Sequence, residues 1–303
     1  MQYLSVRVLR RNIWRCLSFE EGRFPLCDEY GQLISGWTMA EMDDEKETRW
    51  LAWLRAPIDT DQHLLEFELT ALALSTGIID AVSFPKFHCF VSNQTGNTVL
   101  FAVTAFSPFG TRQDTNFTAP AAHLAVSLGF FCLGVFTPGQ TSSYLGCRSK
   151  KWWLLLTNAV QTAFVLIAAL INLVNRTPNY ETDDLNSATI LCSIGLLAFA
   201  SGAQVAMSRQ LGMPEIPTTQ ATAAYVDLFV DPNFFAAVTG NRSRNRRIAF
   251  LLTLVVGSFV GAPAYHYVST AFAILLAGII KIIVALSFLL NRSNSTRILA
   301  SGS

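Results

Sequence analysis

Six stretches of the chain are apolar over about the length that crosses a bilayer. They cover residues 69–84, 121–137, 153–174, 188–207, 248–265 and 270–290. A membrane has a hydrocarbon core of about 30 Å, which a helix of about 20 apolar residues can span. In lipid every backbone polar group must be paired inside the protein, and a helix does this within one segment. The sequence therefore predicts an all-α, polytopic membrane protein.

Composition supports this class and argues against others. Of the 303 residues, 51% are hydrophobic and 14% are charged, whereas about 25% are charged in a soluble domain. The net charge of +1 and the absence of a long Lys or Arg run give no indication of a nucleic-acid partner. No GxxxxGK[ST], HExxH or GxSxG motif is present, so we expect neither an ATP-driven pump nor an enzyme, and no cofactor or metal.

Two shorter apolar stretches, residues 99–106 and 221–230, are too short to span a membrane alone. With a cytosolic N-terminus and six spans, most Lys and Arg residues fall on the cytosolic side, as the positive-inside rule requires. Counting the short stretches as spans would put Arg148, Lys150 and Lys151 outside. We therefore predict six transmembrane helices plus two re-entrant half helices, in the plasma membrane rather than an organelle.

Glycosylation sites offer a check on this orientation, since only extracellular or lumenal Asn-x-Ser/Thr sites are modified. Asn116 and Asn175 fall outside in this arrangement, while Asn241, Asn291 and Asn294 fall inside. A sugar on Asn241 would contradict the orientation.

The polar residues within the apolar region occur in two related copies. Moving 124 residues along the chain places Asp80 on Gln204, Thr95 on Thr219 and Thr98 on Thr222. With six spans, the first copy (67–174) begins inside and the second (188–290) begins outside. This is an inverted repeat, in which interrupted apolar segments at matching positions indicate the binding site of a transporter.

Polar groups at membrane depth must be paired or line a wet cavity. The start of a half helix also presents backbone N–H groups that attract anions. We therefore predict a solute pocket where the two half helices face one another. The alternative is that these residues only hold helices together by hydrogen bonds. The candidate substrate-binding residues are Asp80, Asn93, Gln94, Thr95, Gly96, Asn97, Thr98, Gln204, Thr218, Thr219, Thr222 and Lys281.

Lys281 lies about halfway along the last span between pairs of isoleucines. An ionisable group inside a span indicates function, because burying its charge is costly. We expect Lys281 to pair with Asp227 or Asp80, or to neutralise an anionic ligand; alternatively it extends to an interface. Asp80, near the end of the first span, is either a pocket residue or a hydrated interface residue. The segment Gly257–Gly261 carries small residues four apart, which favours close packing within this protein rather than a dimer.

The sequence divides into a flexible cytosolic arm (residues 1–62), a transmembrane domain (63–292) and a short cytosolic tail (293–303). In the arm, Trp50, Leu51, Trp53 and Leu54 recur at helical spacing beside basic residues. This pattern is typical of an amphipathic helix at the membrane surface, although a short solvated helix would show it too.

The motifs GIIDAVSF (77–84), FVSNQTGNT (90–98), GAQ (202–204) and IPTT (216–219), with Thr222, resemble the YoaK-like family of membrane proteins, a domain of unknown function. The resemblance covers about residues 67–290. The second copy has Ala221 and Ala223 near positions where a pattern as polar as the first is expected. The resemblance implies a multi-span membrane protein described as permease-like, with no established substrate.

These observations favour a secondary transporter of a small polar or anionic solute. Its partners would be the lipid bilayer and the solute, and a homo-oligomer is compatible with the sequence. The alternative is a non-transporting membrane scaffold or sensor whose polar motifs are interhelical packing.

Overall fold

The computed structural model describes residues 51, 53–60, 62–106, 120–175 and 188–291. The described residues form helices joined by non-helical connections, and they contain no strand beyond an isolated bridge between Pro57 and Lys150. The tail from residue 292 and the arm up to Trp50 lie outside the described residues. The helices are α1 (His63–Phe87), α2 (Gln94–Phe106), α3 (Ala121–Leu145), α4 (Lys151–Val174), α5 (Ala188–Gln210), α6 (Ala221–Phe229), α7 (Arg242–Pro263) and α8 (Thr270–Ser287).

Six of these helices are long and apolar enough to cross a membrane, which confirms the predicted spans. They are α1, α3, α4, α5, α7 with its π-helical extension Ala264–Val268, and α8 with the 3-10 turn Phe288–Leu290. The first span begins at His63, six residues before the predicted apolar run. Glu66 and Glu68 lie in that first part of α1, which is why hydropathy alone did not include it.

Two apolar clusters divide the bundle along its length. We call the end at which α1 begins the first end, and the opposite one the second end. The first-end cluster contains residues near the starts of α1, α4 and α7, namely Leu65, Leu154 and Phe250. The second-end cluster contains residues near the starts of α3, α5 and α8, namely Leu124, Ile194 and Ala273. The two halves of the chain therefore run in opposite directions, as the inverted repeat predicts.

Two equivalent helix crossings join the two halves of the chain. α1 packs extensively on α7, and α5, its counterpart in the second half, packs extensively on α3, the counterpart of α7. At the first crossing a Cβ added to Gly77 would lie 2.2 Å from the carbonyl oxygen of Leu254. At the second, a Cβ on Gly202 would lie 2.3 Å from the carbonyl oxygen of Phe131. Glycine therefore lets each pair of backbones touch.

The segment Gly257–Gly261 forms part of the first crossing. A Cβ on Gly257 would lie 2.3 Å from the Leu74 carbonyl oxygen, and one on Gly261 would lie 2.6 Å from that of Ile78. The prediction that these small residues pack helices of this same chain is confirmed.

The two short apolar stretches form short helices. α2 has 13 residues and packs on α3, while α6 has 9 residues and packs on α7. Leu100 of α2 belongs with the second-end cluster, whereas Ala224 and Leu228 of α6 belong with the first-end cluster. Each half helix therefore lies in its own half of the bundle, against the equivalent long helix.

The last residues of the predicted arm contact the bundle. The Ile58 amide donates to the Ser149 carbonyl at 2.9 Å, and the Lys151 amide donates to the Ala56 carbonyl at 3.3 Å. Ile58 is buried in the first-end cluster. Residues 56–58 are thus fixed to the connection between α3 and α4.

The glycine contacts predict a position-dependent effect of alanine within one helix. A Cβ at Gly134 of α3 would lie 2.3 Å from the Phe199 carbonyl oxygen, while one at Gly129 would meet nothing within 4 Å. We expect Gly134→Ala to destabilise by about 1–3 kcal/mol, because α3 and α5 must move apart. Gly129→Ala should leave stability unchanged or raise it by about 0.5–1 kcal/mol. Unfolding of the purified protein in mixed micelles measures both, and equal effects would contradict the crossing.

Candidate functional site

A layer of buried polar side chains separates the two apolar clusters. It comes from the middle of the four helices α1, α4, α5 and α8, and each member is at most 8% exposed. On every one of these helices, first-end cluster residues lie on one side of the layer and second-end cluster residues on the other. We call this the polar layer, and its members are Ser75, Thr76, Thr157, Asn158, Gln161, Thr162, Ser201, Gln204 and Lys281.

Lys281 provides the only formal charge in the polar layer. Its Nζ donates to Gln204 Oε1 at 2.5 Å and to Gln161 Oε1 at 3.2 Å, and the residue is 2% exposed. No carboxylate among the described residues lies within ion-pair distance of it. The expected pairing with Asp80 or Asp227 is therefore not formed, nor does Lys281 extend to an interface.

Most hydrogen bonds of the polar layer join the two halves of the chain. Gln204 Nε2 donates to Thr76 Oγ1 at 2.9 Å, and Ser75 Oγ donates to the Ala277 carbonyl at 3.1 Å. Asn158 Nδ2 lies 3.4 Å from the Lys281 carbonyl. The layer therefore forms the seam between the inverted repeats.

Two buried atoms of the polar layer have no hydrogen-bond partner among the described residues. They are Gln161 Nε2, a donor, and Asn158 Oδ1, an acceptor. Both residues are 0% exposed. A buried polar group without a partner costs about 1–3 kcal/mol, so these atoms mark a place where a further hydrogen-bonding group would be stabilised.

Asn97, at the centre of the first predicted motif, uses its polar atoms within the protein. Its Nδ2 donates to the Phe90 carbonyl at 2.6 Å, Gln94 Oε1 at 2.8 Å and Ser127 Oγ at 3.1 Å. Its Oδ1 accepts from the Phe90 amide at 2.9 Å. Asn97 thus fastens the non-helical connection between α1 and α2 to α3.

The other residues of this motif are either paired locally or exposed. Gln94 Nε2 also donates to Ser127 Oγ at 3.2 Å, and Thr98 Oγ1 donates to the Gln94 carbonyl at 2.8 Å. Gly96 donates from its amide to Asn93 Oδ1 at 3.4 Å. Asn93, Thr95 and Thr98 are exposed.

Asp80 lies one helical turn beyond Thr76 on α1, about 6 Å along the axis. Its Oδ2 accepts a short hydrogen bond from Ser92 Oγ. Its Oδ1 has no hydrogen-bond partner among the described residues. Asp80 is thus a half-buried residue beside the polar layer, and its carboxyl group is held by Ser92.

The second predicted motif contains two hydroxyl groups that nothing in the described structure pairs. Thr218 Oγ1 and Thr219 Oγ1 are buried without partners, at 0% and 8% exposure. Thr218 also has φ of 61°, which is strained for a β-branched residue. The start of α6 that follows has no side-chain cap, and Thr222 in its first turn is exposed.

The structure does not bring the two motifs together. Val91 and Leu100, which flank the first motif, belong with the second-end cluster, while Ile216 and Ala221, around the second, belong with the first-end cluster. It does bring Gln204 and Lys281 into contact. Sequence reasoning missed Gln161, Asn158 and Thr76. Asn158, Gln161 and Thr162 recur at helical spacing within an apolar run, and this signal could have identified them.

A second buried polar group lies at the first end. Glu68, at 0% exposure, accepts from Ser287 Oγ and Asn291 Nδ2, each at 2.6 Å. Lys151 Nζ donates to the Asn291 carbonyl at 2.5 Å and lies 3.9 Å from the centre of the Trp53 ring. The beginnings of α1 and α4 are thereby tied to the end of α8. In the described part, no three His, Cys, Asp or Glu side chains are placed to hold a metal ion.

The contacts of Lys281 predict non-additive effects on stability. Gln204→Leu removes one of its two acceptors, and leaving a buried charged donor short of a partner should cost about 1.5–3 kcal/mol. Adding Lys281→Met should recover most of this loss, because the charge is then gone. A double-mutant cycle followed by unfolding in mixed micelles measures the coupling. Strict additivity would contradict the contact.

The strained backbone at Thr218 predicts that glycine and alanine have opposite orders of stability at positions 218 and 219. At Thr218, glycine should be more stable than alanine by about 1 kcal/mol, since only glycine tolerates positive φ. At Thr219, whose φ is not positive, alanine should be more stable than glycine by about 0.5–1 kcal/mol. Both pairs remove the unpaired hydroxyl, so comparing the melting temperatures of the four variants isolates the backbone effect. The same order at both positions would exclude it.

Comparison with known proteins identifies a family but no characterised relative. Residues 69–287 match a family described as protein of unknown function (DUF1275). No curated protein and no solved structure matches the chain. The matched range contains the whole polar layer, from Ser75 to Lys281.

Proposed function

The chain belongs to the DUF1275 family, and we propose that it is a secondary transporter carrying a small polar or anionic solute across the membrane. The observation that carries this proposal is the polar layer across the middle of a six-span bundle. A buried lysine at that depth is costly and is retained mainly on substrate or ion pathways. The seam between inverted repeats, where the layer lies, is where secondary transporters bind their solutes.

The location of the solute site differs from the pocket expected between the two half helices. We place it at the polar layer, with Lys281, Gln204 and Gln161 as its binding residues and Asp80 beside it. Thr218 and Thr219, whose hydroxyls are free to bind, lie on the first-end side. Asn97 positions α2 rather than the solute, because its hydrogen-bonding atoms are occupied.

We further propose that the N-terminus is cytosolic, that the first end faces the cytosol, and that the membrane is the plasma membrane. The distribution of positive charge supports this orientation. Arg148, Lys150 and Lys151 lie where α3 connects to α4, and four arginines lie within residues 242–247 at the start of α7, so both groups are at the first end. The first-end contacts of Glu68 and Lys151 would then close the cytosolic side.

The alternative, a non-transporting membrane scaffold or sensor, is favoured by one observation. The side-chain amide of Asn97 is fully hydrogen-bonded and holds the connection between α1 and α2 against α3. The scaffold alternative expects this of every polar motif. It does not account for a buried lysine without a carboxylate partner. Deleting residues 1–50 separates the two: a scaffold that acts through its arm should lose function, whereas a transporter should keep its uptake.

Transport can be tested with purified protein in liposomes. A panel of radiolabelled small carboxylates, inorganic anions and neutral polar metabolites would be screened for uptake above protein-free liposomes. For any solute taken up, Lys281→Met should lower the rate about 10-fold or more, because a charged hydrogen bond to the solute is lost. Lys150→Gln, a lysine outside the polar layer, is the control and should retain uptake. Uptake that survives Lys281→Met would refute the proposed site.

A further inference from the structure

The polar layer holds more hydrogen-bond donors than acceptors around Lys281. A lysine ammonium carries three N–H donors, and Gln204 and Gln161 accept two of them. The Gln161 Nε2 amide, at 0% exposure, has no partner in the part of the chain that the structure describes. Because Gln161 turns its oxygen toward Lys281, its amide nitrogen provides a second set of donors next to the ammonium group. This arrangement fits an acceptor that receives hydrogen bonds from both residues.

The charge of the polar layer is also uncompensated. Its other members are Ser, Thr, Asn and Gln side chains, and no described carboxylate lies within ion-pair distance of Lys281. An isolated charge at this depth is expensive, and a counter-ion in contact would offset much of the cost. A cationic ligand is disfavoured by repulsion from Lys281.

We propose that the polar layer binds one small monovalent anion, held by the Lys281 ammonium and the Gln161 amide. This inference rests on the proposed transport site and names the class of its ligand. One negative charge neutralises one lysine, whereas a divalent anion would leave a buried negative charge unpaired. The layer is closed on both sides by apolar clusters, which favours an anion the size of chloride, bromide, nitrate or acetate.

Asn158 gives the site a further preference. Its Oδ1 is a buried acceptor without a partner, and it sits on the same helix as Gln161, one turn away. A bound water, or a ligand O–H or N–H group, would satisfy it. A monovalent anion accompanied by one water therefore uses every unpaired atom of the layer.

The test compares anions at constant ionic strength. The full-length protein in detergent would be titrated with sodium chloride against sodium gluconate, whose anion is too large for the layer. We expect a saturable rise in melting temperature of roughly 2–8 °C with chloride and a similar saturable rise with bromide, nitrate or acetate. Sulfate stabilises proteins non-specifically, so any rise with sulfate should not saturate. A saturable response to sulfate equal to that to chloride, or a chloride response that does not saturate, would refute the site.

A substitution that supplies the negative charge internally gives the sharpest control. Gln161→Glu places a carboxylate against Lys281, so this variant should be at least as stable in gluconate as the wild type in chloride, and insensitive to chloride. Gln210→Glu makes the same chemical change on α5 outside the layer and should retain the chloride response. A wild-type response in Gln161→Glu would overturn the proposal.

Chloride binding can also be measured directly, on variants that remain folded. Chloride exchange with a bound site broadens the ³⁵Cl NMR line, and we expect broadening with wild type and Gln210→Glu but not with Gln161→Glu. Chloride binding without uptake of any solute would leave the anion site standing and refute transport. Uptake of a solute by a protein with no chloride response would refute the anion site and leave transport standing.

Discussion

The structure depends on backbone contact at two helix crossings. In lipid the hydrophobic effect does not drive helices together, so close packing and hydrogen bonds must do so. Glycines at Gly77 and Gly257 allow this on α1 and α7, and glycines at Gly134 and Gly202 allow it on α3 and α5. Each crossing joins a helix of one half to a helix of the other. The inverted halves are therefore interlocked rather than placed side by side.

This interlocking determines where polar groups can lie. α1 and α5 are the most buried spans, with 67% and 72% of their apolar windows inside the protein, whereas α3 and α7 are mostly outward-facing at 22% and 28%. The polar layer is drawn from the central helices α1, α4, α5 and α8, which hold its side chains away from lipid. The outward-facing surfaces of α3 and α7 include large apolar side chains that lipid can cover, such as Phe136 and Phe259.

The fold was largely predictable because the number and direction of the spans depend on features that can be measured along the sequence. The length of an apolar run, its distance from the next, and the distribution of Lys and Arg were enough to indicate six spans and two half helices, and the repeat of Asp80 and Gln204 indicated inversion. The site was less predictable. Lys281 and Gln204 stand out as polar residues in apolar runs, but their partner Gln161 is 120 residues from Lys281, and pairing across that distance depends on how helices cross.

In the first motif (residues 90–98), the sequence suggested a ligand site where the structure shows internal hydrogen bonds. Its polar residues are dense in sequence, and density suggested a ligand, yet Asn97 pairs with Phe90 and Ser127. Where the chain is not helical at membrane depth, its backbone N–H and C=O groups still need hydrogen-bond partners. Asn97 provides these partners for Phe90, so its side chain is not available to a ligand. The hydroxyls of Thr218 and Thr219, by contrast, have no partner among the described residues. Sequence cannot distinguish a residue that pairs with backbone from one that is available to a solute.

The packing also indicates which parts would move together if the protein changes conformation. α1 is tied to α7, which carries α6, and α5 is tied to α3, which carries α2, while α1 and α5 share little contact. α4 and α8 lie between these two groups, since α8 packs on α1, α4 packs on α5, and they pack on one another. Interdigitated glycine crossings resist separation, because packed backbones have few alternative arrangements. The hydrogen bonds that join α8 to α4, from Lys281 to Gln161 at 3.2 Å and from Asn158 to the Lys281 carbonyl at 3.4 Å, are among the longer ones of the polar layer. A change in access to the polar layer that separates α1, α6 and α7 from α2, α3 and α5 would break these bonds and those that Gln204 makes with Lys281 and Thr76, and it would not follow the boundary between the sequence repeats.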